Sequence, residues 1–255
     1  MRMRAMIAVA FAVLAASPAL AGPVEDLISG ARQECRGCDL SNASFKKADL
    51  SGVDLTGANL SGASFHRAIL KGANLTDVIA EDANFNLADL SGAVLAGGRF
   101  KGAMFYEAQL SAAKAARADF SYTMAQHARL TGIDLMGANL DASVLKGARL
   151  NNADLTGASL NRTNLDKANI GRTRFDAATI DGAGFVETTG SGAAFRDATI
   201  TQTDFFGARL DNADFTGARA HANRFTRAKV DLGSIAPDQL TNNIMPDGQV
   251  QRSGQ

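Results

Sequence analysis

Tryptophan is absent from this chain, and two tyrosines, two cysteines and four prolines are spread over 255 residues. Net charge is absent too, with 26 Lys and Arg against 26 Asp and Glu. Without a basic excess the chain lacks the usual electrostatic signature of a nucleic-acid binder. Without an acidic excess it is a poor mimic of nucleic acid. Its most apolar stretch, Ala5 to Ala16, has 12 residues, well short of the ~20 that a membrane-spanning helix needs. Hydrophobic residues nevertheless make up 46% of the chain, enough for a core and too many for global disorder. The 25 glycines and 14 phenylalanines, set beside so few other aromatics, point to an internal repeat.

The first residues read as an address. Arg2 and Arg4 precede the apolar run, and Ala19-Leu20-Ala21 follows it. A charged region, an apolar region and a small-x-small site in that order are the parts of a secretory signal peptide. Cleavage after Ala21 is expected to leave 234 residues with a formal charge of −2. No cysteine sits at the cleavage site, which argues against a lipoprotein anchor. The sequence therefore predicts an exported protein, periplasmic or secreted, in an oxidising compartment and with no membrane span after cleavage.

A five-residue register begins at Leu40 and runs to Val230 without a slip. Of its 39 centres, 18 are Leu, 12 are Phe and three are Ile, and the residue two before the centre is Ala in 27. Helices space apolar residues by three and four, and strands by two. A strict period of five fits neither, and fits instead a chain that turns a corner once per repeat. None of the 78 residues at the centre and two before it is Asp, Glu, Lys, Arg or His. Because a buried unpaired charge is so costly, this partition reads as inside against outside. Gly two after the centre, as at Gly52, Gly57 and Gly62, suits a tight corner. Asp or Asn just before the centre, as at Asp49, Asp54 and Asn59, can bond the nearby backbone. The segment Ser111 to Arg117 has helical propensity, but it keeps the register and is placed in the coil.

The run Ala48-Asp-Leu-Ser-Gly-Val-Asp-Leu-Thr-Gly-Ala-Asn-Leu-Ser-Gly62 resembles the pentapeptide repeat family. That resemblance implies an all-β fold, a right-handed quadrilateral β-helix with four repeats per coil. It implies function only weakly. Four repeats per coil can be checked in the sequence, because residues 20 apart should then share a face. In the column Phe45, Phe65, Phe85, Phe105, Ala125, Leu145, Leu165, Phe185, Phe205, Phe225, seven of ten residues are Phe, against five Phe at the other 29 centres. Nearly ten coils at the inter-strand spacing make a rod about 47 Å long. Beside Ala125, Leu145 and Leu165, the inward hydroxyls of Thr123, Ser143 and Thr163 are expected to bond along the stack.

Open coils need caps. The stripe Val24, Leu27, Ile28, Ala31 after Pro23 predicts a short helix over the first coil. At the other end Ile235, Leu240 and Ile244 are apolar, with Pro237 placed to open a short helix and Pro246 to end it. Residues 247–255 are polar and expected to be disordered. The predicted organisation is thus a signal peptide over 1–21, an N-terminal cap over 22–37, the β-helix over 38–232, and a C-terminal cap and tail over 233–255.

Cys35-Arg-Gly-Cys38 is the one cysteine pair, and such spacing can be a redox motif, half a zinc site or a local disulfide. Zinc lacks a second cysteine pair, and the redox reading lacks a thioredoxin-like βαβ context. A capping role closed by a Cys35–Cys38 disulfide is the preferred reading. His66, His127 and His221 fall in outward slots too far apart to share a metal. No metal, cofactor or catalytic residue is assigned, and the chain is read as a non-enzymatic scaffold or protein-interaction module. Some members of the family it resembles mimic DNA and bind topoisomerases. That alternative needs an acidic surface and a cytoplasmic protein, whereas the four faces sum to −2, +3, +2 and −3. The candidate interaction patch is the outward strip Leu87, Met104, Tyr106, Met124 and Val144, flanked by Glu107 and His127. It would take a partner protein or a second copy of the chain.

Overall fold

The computed structural model describes residues 22–251. The predicted signal peptide and the last four residues of the tail lie outside that range. One helix is present among the described residues, α1 at Pro23–Ser29. Pro23 opens it, where a missing N–H costs nothing. Gly30 closes it in the left-handed conformation, with its N–H donating to the Leu27 carbonyl at 3.2 Å. Of the expected stripe, Leu27 is buried and Val24 packs partly on the core, while Ile28 is 47% exposed.

From Glu34 onward every bridge joins residues 20 apart in parallel, from Glu34↔Asp54 to Arg224↔Ile244. Four faces therefore stack, coil over coil, named here by their first centres Leu40, Phe45, Leu50 and Leu55. Four walls per 20-residue coil are those of the right-handed quadrilateral β-helix that the family resemblance implies. Each corner is a turn: Ala63 N–H donates to the Leu60 carbonyl at 2.9 Å, and Gly62 between them sits at φ 66°. A positive φ at the third residue alone is the mark of a type II turn, which explains the glycine preference. Where glycine is missing the chain still adopts that conformation, as at Ala112 (φ 56°) and Tyr122 (φ 60°). The Asp and Asn residues before the centres do bond the corner. Asp49 Oδ1 accepts from both Ser51 N–H (3.0 Å) and Ser51 O–H (2.6 Å).

Where the bridges lengthen, four short strands form one sheet of the Leu40 face: β1 Thr179–Asp181, β2 Thr199–Thr201, β3 Arg219–His221 and β4 Leu240–Thr241, paired in that order and parallel. The core inside the four walls is a column of Leu and Phe flanked by Ala. Phe45, Phe65, Phe85 and Phe105 stack with ring centroids 4.8–5.0 Å apart, the spacing that the parallel bridges impose. A second stack, Phe100 on Phe120, meets the first edge-on. Toward the C-terminus Phe185, Phe205 and Phe225 stack likewise and are crossed by Phe175, Phe195 and Phe215. Between the two halves Ala125 interrupts the ladder and leaves a small apolar void of about 20 Å³ against Phe105, Phe120 and Leu145.

Two expectations are corrected. Thr123, Ser143 and Thr163 do not bond one another. Thr123 Oγ1 donates to the Phe120 carbonyl and Thr163 Oγ1 to the Leu140 carbonyl, each at 2.8 Å, and Ser143 Oγ has no partner. Thr123 thus bonds the carbonyl at its own corner and Thr163 the corner carbonyl of the preceding coil, so main-chain carbonyls rather than neighbouring hydroxyls take both donors. At the C-terminal end no helix forms around Pro237. Ile235, Leu240 and Met245 prolong the five-residue register, and β4 stacks on β3 as a further partial coil. The chain then folds back, with Ile244 bridging Val250 antiparallel and Gln251 N–H donating to the Asn243 carbonyl at 2.9 Å. Asp247 to Gln251 are thus an ordered lid rather than a loose tail.

Candidate interaction surface

The Phe45 face places the predicted strip together. Met104, Met124 and Val144 bridge in succession, so their side chains point outward from adjacent coils, one strand spacing apart. Met124 is 45% exposed, while Met104 and Val144 are half-buried. Along one edge stands Tyr106, 43% exposed and edge-on to His127 with ring centroids 6.1 Å apart. Its main-chain N–H donates to Asn86 Oδ1 at 2.8 Å. The Glu107 carboxylate raises the pKa of the Tyr106 phenol, first by accepting its hydrogen bond and then by its charge. Leu87 is half-buried farther along the same edge, where it lines a shallow groove with Glu107, His127 and Arg129.

The opposite edge holds a residue that column arithmetic missed. Tyr122 belongs to the Phe120 repeat and occupies the corner between the Leu40 and Phe45 faces, two residues before Met124. It is 61% exposed, with the Lys101 ammonium 5.6 Å from its ring centroid. The signal was in the sequence: both tyrosines of the chain lie within two residues of a strip methionine. Tyr106, Met124 and Tyr122 are the exposed apolar residues of this part of the rod, on and at the edges of the Phe45 face, with Lys101, Glu107, His127 and Arg129 nearby in the fold. Other exposed apolar residues, such as Ile69 and Met136, stand singly on other walls.

Charge divides the rod lengthwise. The Phe45 and Leu50 faces are adjacent and carry +3 and +2, whereas the Leu55 and Leu40 faces carry −3 and −2. The strip thus lies on the basic half. Of the remaining candidates, Cys35 and Cys38 are joined in a disulfide at the N-terminal end. His66, His127 and His221 lie on separate coils, and the described residues hold no group of three His, Cys, Asp or Glu side chains placed to bind a metal. No helix among them is long and apolar enough to cross a membrane.

A continuous solenoid with ionisable groups confined to its outside is a β-helical repeat protein, a wall that presents side chains at fixed spacing. Its repeats match the pentapeptide repeat profile in eight copies, over residues 34–72, 68–105, 83–121, 103–141, 143–182 and 191–221, and the chain belongs to that family. Among solved structures it is similar to HetL, a pentapeptide repeat protein involved in heterocyst differentiation regulation from the cyanobacterium Nostoc sp. strain PCC 7120. The two share 27% identity over 88% of this chain and 95% of HetL, with a TM-score of 0.52. Full-length QnrB1, a plasmid-mediated fluoroquinolone resistance protein, aligns at 16% identity over 82% of this chain and 92% of its own, with a TM-score of 0.41. No curated protein sequence matches the chain.

Proposed function

We propose that this protein is an exported, non-enzymatic scaffold that binds a partner protein through the Phe45 face. The observation that carries the reading is the exposure of Tyr106, Met124 and Tyr122 within neighbouring coils on and beside the Phe45 face. Tyrosine and methionine are enriched in interface cores, and an apolar centre with a polar rim is the anatomy of a docking site. The surrounding charge selects the occupant. A partner with apolar anchors and an acidic rim complements the basic half of the rod, whereas a second copy laid face to face would oppose Lys101, Arg129 and Lys146 with their own counterparts. Topoisomerase binding by DNA mimicry would need acidity along this surface and is disfavoured. Export rests on the residues before Gly22.

The test is site-specific photocrosslinking. A photoreactive residue at Met124 is expected to give one discrete adduct in the native envelope, weakened by salt and abolished by Met104→Lys. The same probe at Asp134, on the acidic Leu55 face, should give none. A homodimer adduct, matched by light scattering of the purified protein, would replace the partner with a second copy. Equal labelling from both sites would overturn the assignment. Amino-terminal sequencing of the chain in the envelope fraction should begin at Gly22, and a retained leader would remove export.

A further inference from the structure

At the N-terminal end the two disulfide sulfurs differ in surroundings. Cys35 is 2% exposed and belongs to the core, while Cys38 is half-buried at the coil edge. Both line an open hollow of about 780 Å³ shared with Asp26, Arg32, Glu34 and Arg36. Arg32 reaches it from the turn after α1, its Nη1 3.7 Å from Cys35 Sγ. The backbone around the pair is held independently of the sulfurs. Cys35 N–H donates to the Asp54 carbonyl (2.7 Å), Gly37 N–H to the Thr56 carbonyl (2.9 Å), and Cys38 N–H to the Cys35 carbonyl (3.3 Å). A purely structural staple needs neither a cation at one sulfur nor an open hollow beside the pair.

We propose that Cys35–Cys38 is a thiol–disulfide exchange site that oxidises a protein dithiol once, stoichiometrically, alongside the scaffold role, with Cys38 the attacked sulfur and Cys35 the leaving one. An incoming thiolate approaches through the hollow, and its sulfur bonds to Cys38 Sγ. The Cys35–Cys38 bond breaks, and its electron pair leaves on Cys35 Sγ as a thiolate. A neighbouring cation favours thiolate over thiol, and a better-stabilised leaving thiolate departs faster, which is the service Arg32 performs. The second thiol of the same partner, deprotonated, then attacks its own sulfur in the mixed disulfide and releases Cys38, which takes up a proton. The partner leaves as a disulfide. The cysteine pair gains two electrons and one proton, held on Cys38, with Cys35 left as the thiolate beside Arg32; the dithiol loses two electrons and two protons, the second proton passing to solvent. Because the backbone bonds persist, the first coil keeps its shape in both states. This inference is independent of the Phe45 face.

The experiment uses the purified full chain, with dithiothreitol and oxidised glutathione as probes. Dithiothreitol should reduce the pair while the circular dichroism of the folded protein stays unchanged. Arg32→Gln should slow that reduction several-fold, because a less acidic leaving thiol departs more slowly, and Arg32→Lys should restore it. Incubated with oxidised glutathione, Cys35→Ser, which keeps Cys38, should form a mixed disulfide several-fold faster than Cys38→Ser, which keeps Cys35. Reduction that occurs only as the chain unfolds would overturn the proposal. So would equal labelling of the two single-cysteine variants, or an Arg32→Gln rate equal to that of the parent.

Discussion

Inside the last coils, Asn223 Nδ2 donates to Asn243 Oδ1 at 3.0 Å and to the Ile200 carbonyl at 2.9 Å. Asn243 Oδ1 also accepts the Asn223 N–H, and its own Nδ2 donates to the Ala220 carbonyl. Thr203 N–H in turn donates to Asn223 Oδ1. This buried amide ladder runs at the inward slot of the Phe45 face and ties the terminal partial coil to the two before it. Asn243→Ala removes the outermost rung and strands the donors of Asn223. We expect a loss of about 1–3 kcal/mol, the cost of leaving buried polar groups unsatisfied. Hydrogen exchange should show the C-terminal coils opening first, while the Phe45–Phe105 coils keep their protection.

Phe65 is fully buried between Phe45 and Phe85. Phe65→Ala should cost roughly 3–5 kcal/mol, the range for a deleted core aromatic. Lys71, on an outer wall, makes an ion pair with Asp89 at 3.3 Å but its side chain is 60% exposed. Solvent screens such a pair, so Lys71→Ala should cost less than about 1 kcal/mol. Denaturant titration of the two variants tests the division between inside and outside, and equal costs would refute it.

Ala112 holds a left-handed corner at φ 56°, a conformation that disfavours a Cβ. Ala112→Gly relieves that strain at some cost in unfolded-state entropy, and a net gain of about 0.5–1 kcal/mol is expected. Its N–H bond to the Thr131 carbonyl is kept. A lower midpoint for the variant would mean that the corner is not strained.

Acid should loosen the corners. Asp49, Asp54 and Asp214 have pKa values below the ordinary carboxylate value, held down first by the hydroxyls of Ser51, Thr56 and Thr216 and then by those residues' N–H groups. A depressed pKa contributes stability that is complete above the unfolded value and is lost as pH falls through the folded one. Stability should therefore be level near neutrality and decline below about pH 4. Thermal melts across pH 2–7 should show that decline, and Asp54→Asn should make it shallower. A melt that is flat down to pH 2 would count against the carboxylate–corner bonds.

The residue pattern alone determined the wall structure of this protein. A five-residue register without a slip, with two positions per repeat that never carry charge and a corner that favours glycine, separates inside from outside and excludes helix and regular strand, and the four-walled coil itself came from the resemblance to the pentapeptide repeat family. The Phe column agreed with stacking at 20 residues, because that period sets like side chains one strand spacing apart on a single face. What the tertiary structure decided depends on which atoms come nearest across a corner or at an end. Thr123 and Thr163 bond carbonyls rather than each other because the carbonyl is closer. Ile235 to Val250 close the rod as a folded-back coil because the exposed edge of the preceding coil offers unpaired backbone groups to the chain that follows. Tyr122 is exposed at a corner between two walls, which a count by columns assigns to one. The unequal exposure of Cys35 and Cys38, and the guanidinium of Arg32 beside only one of them, come from how α1 sits on the first coil, and spacing in the sequence carries no record of that placement.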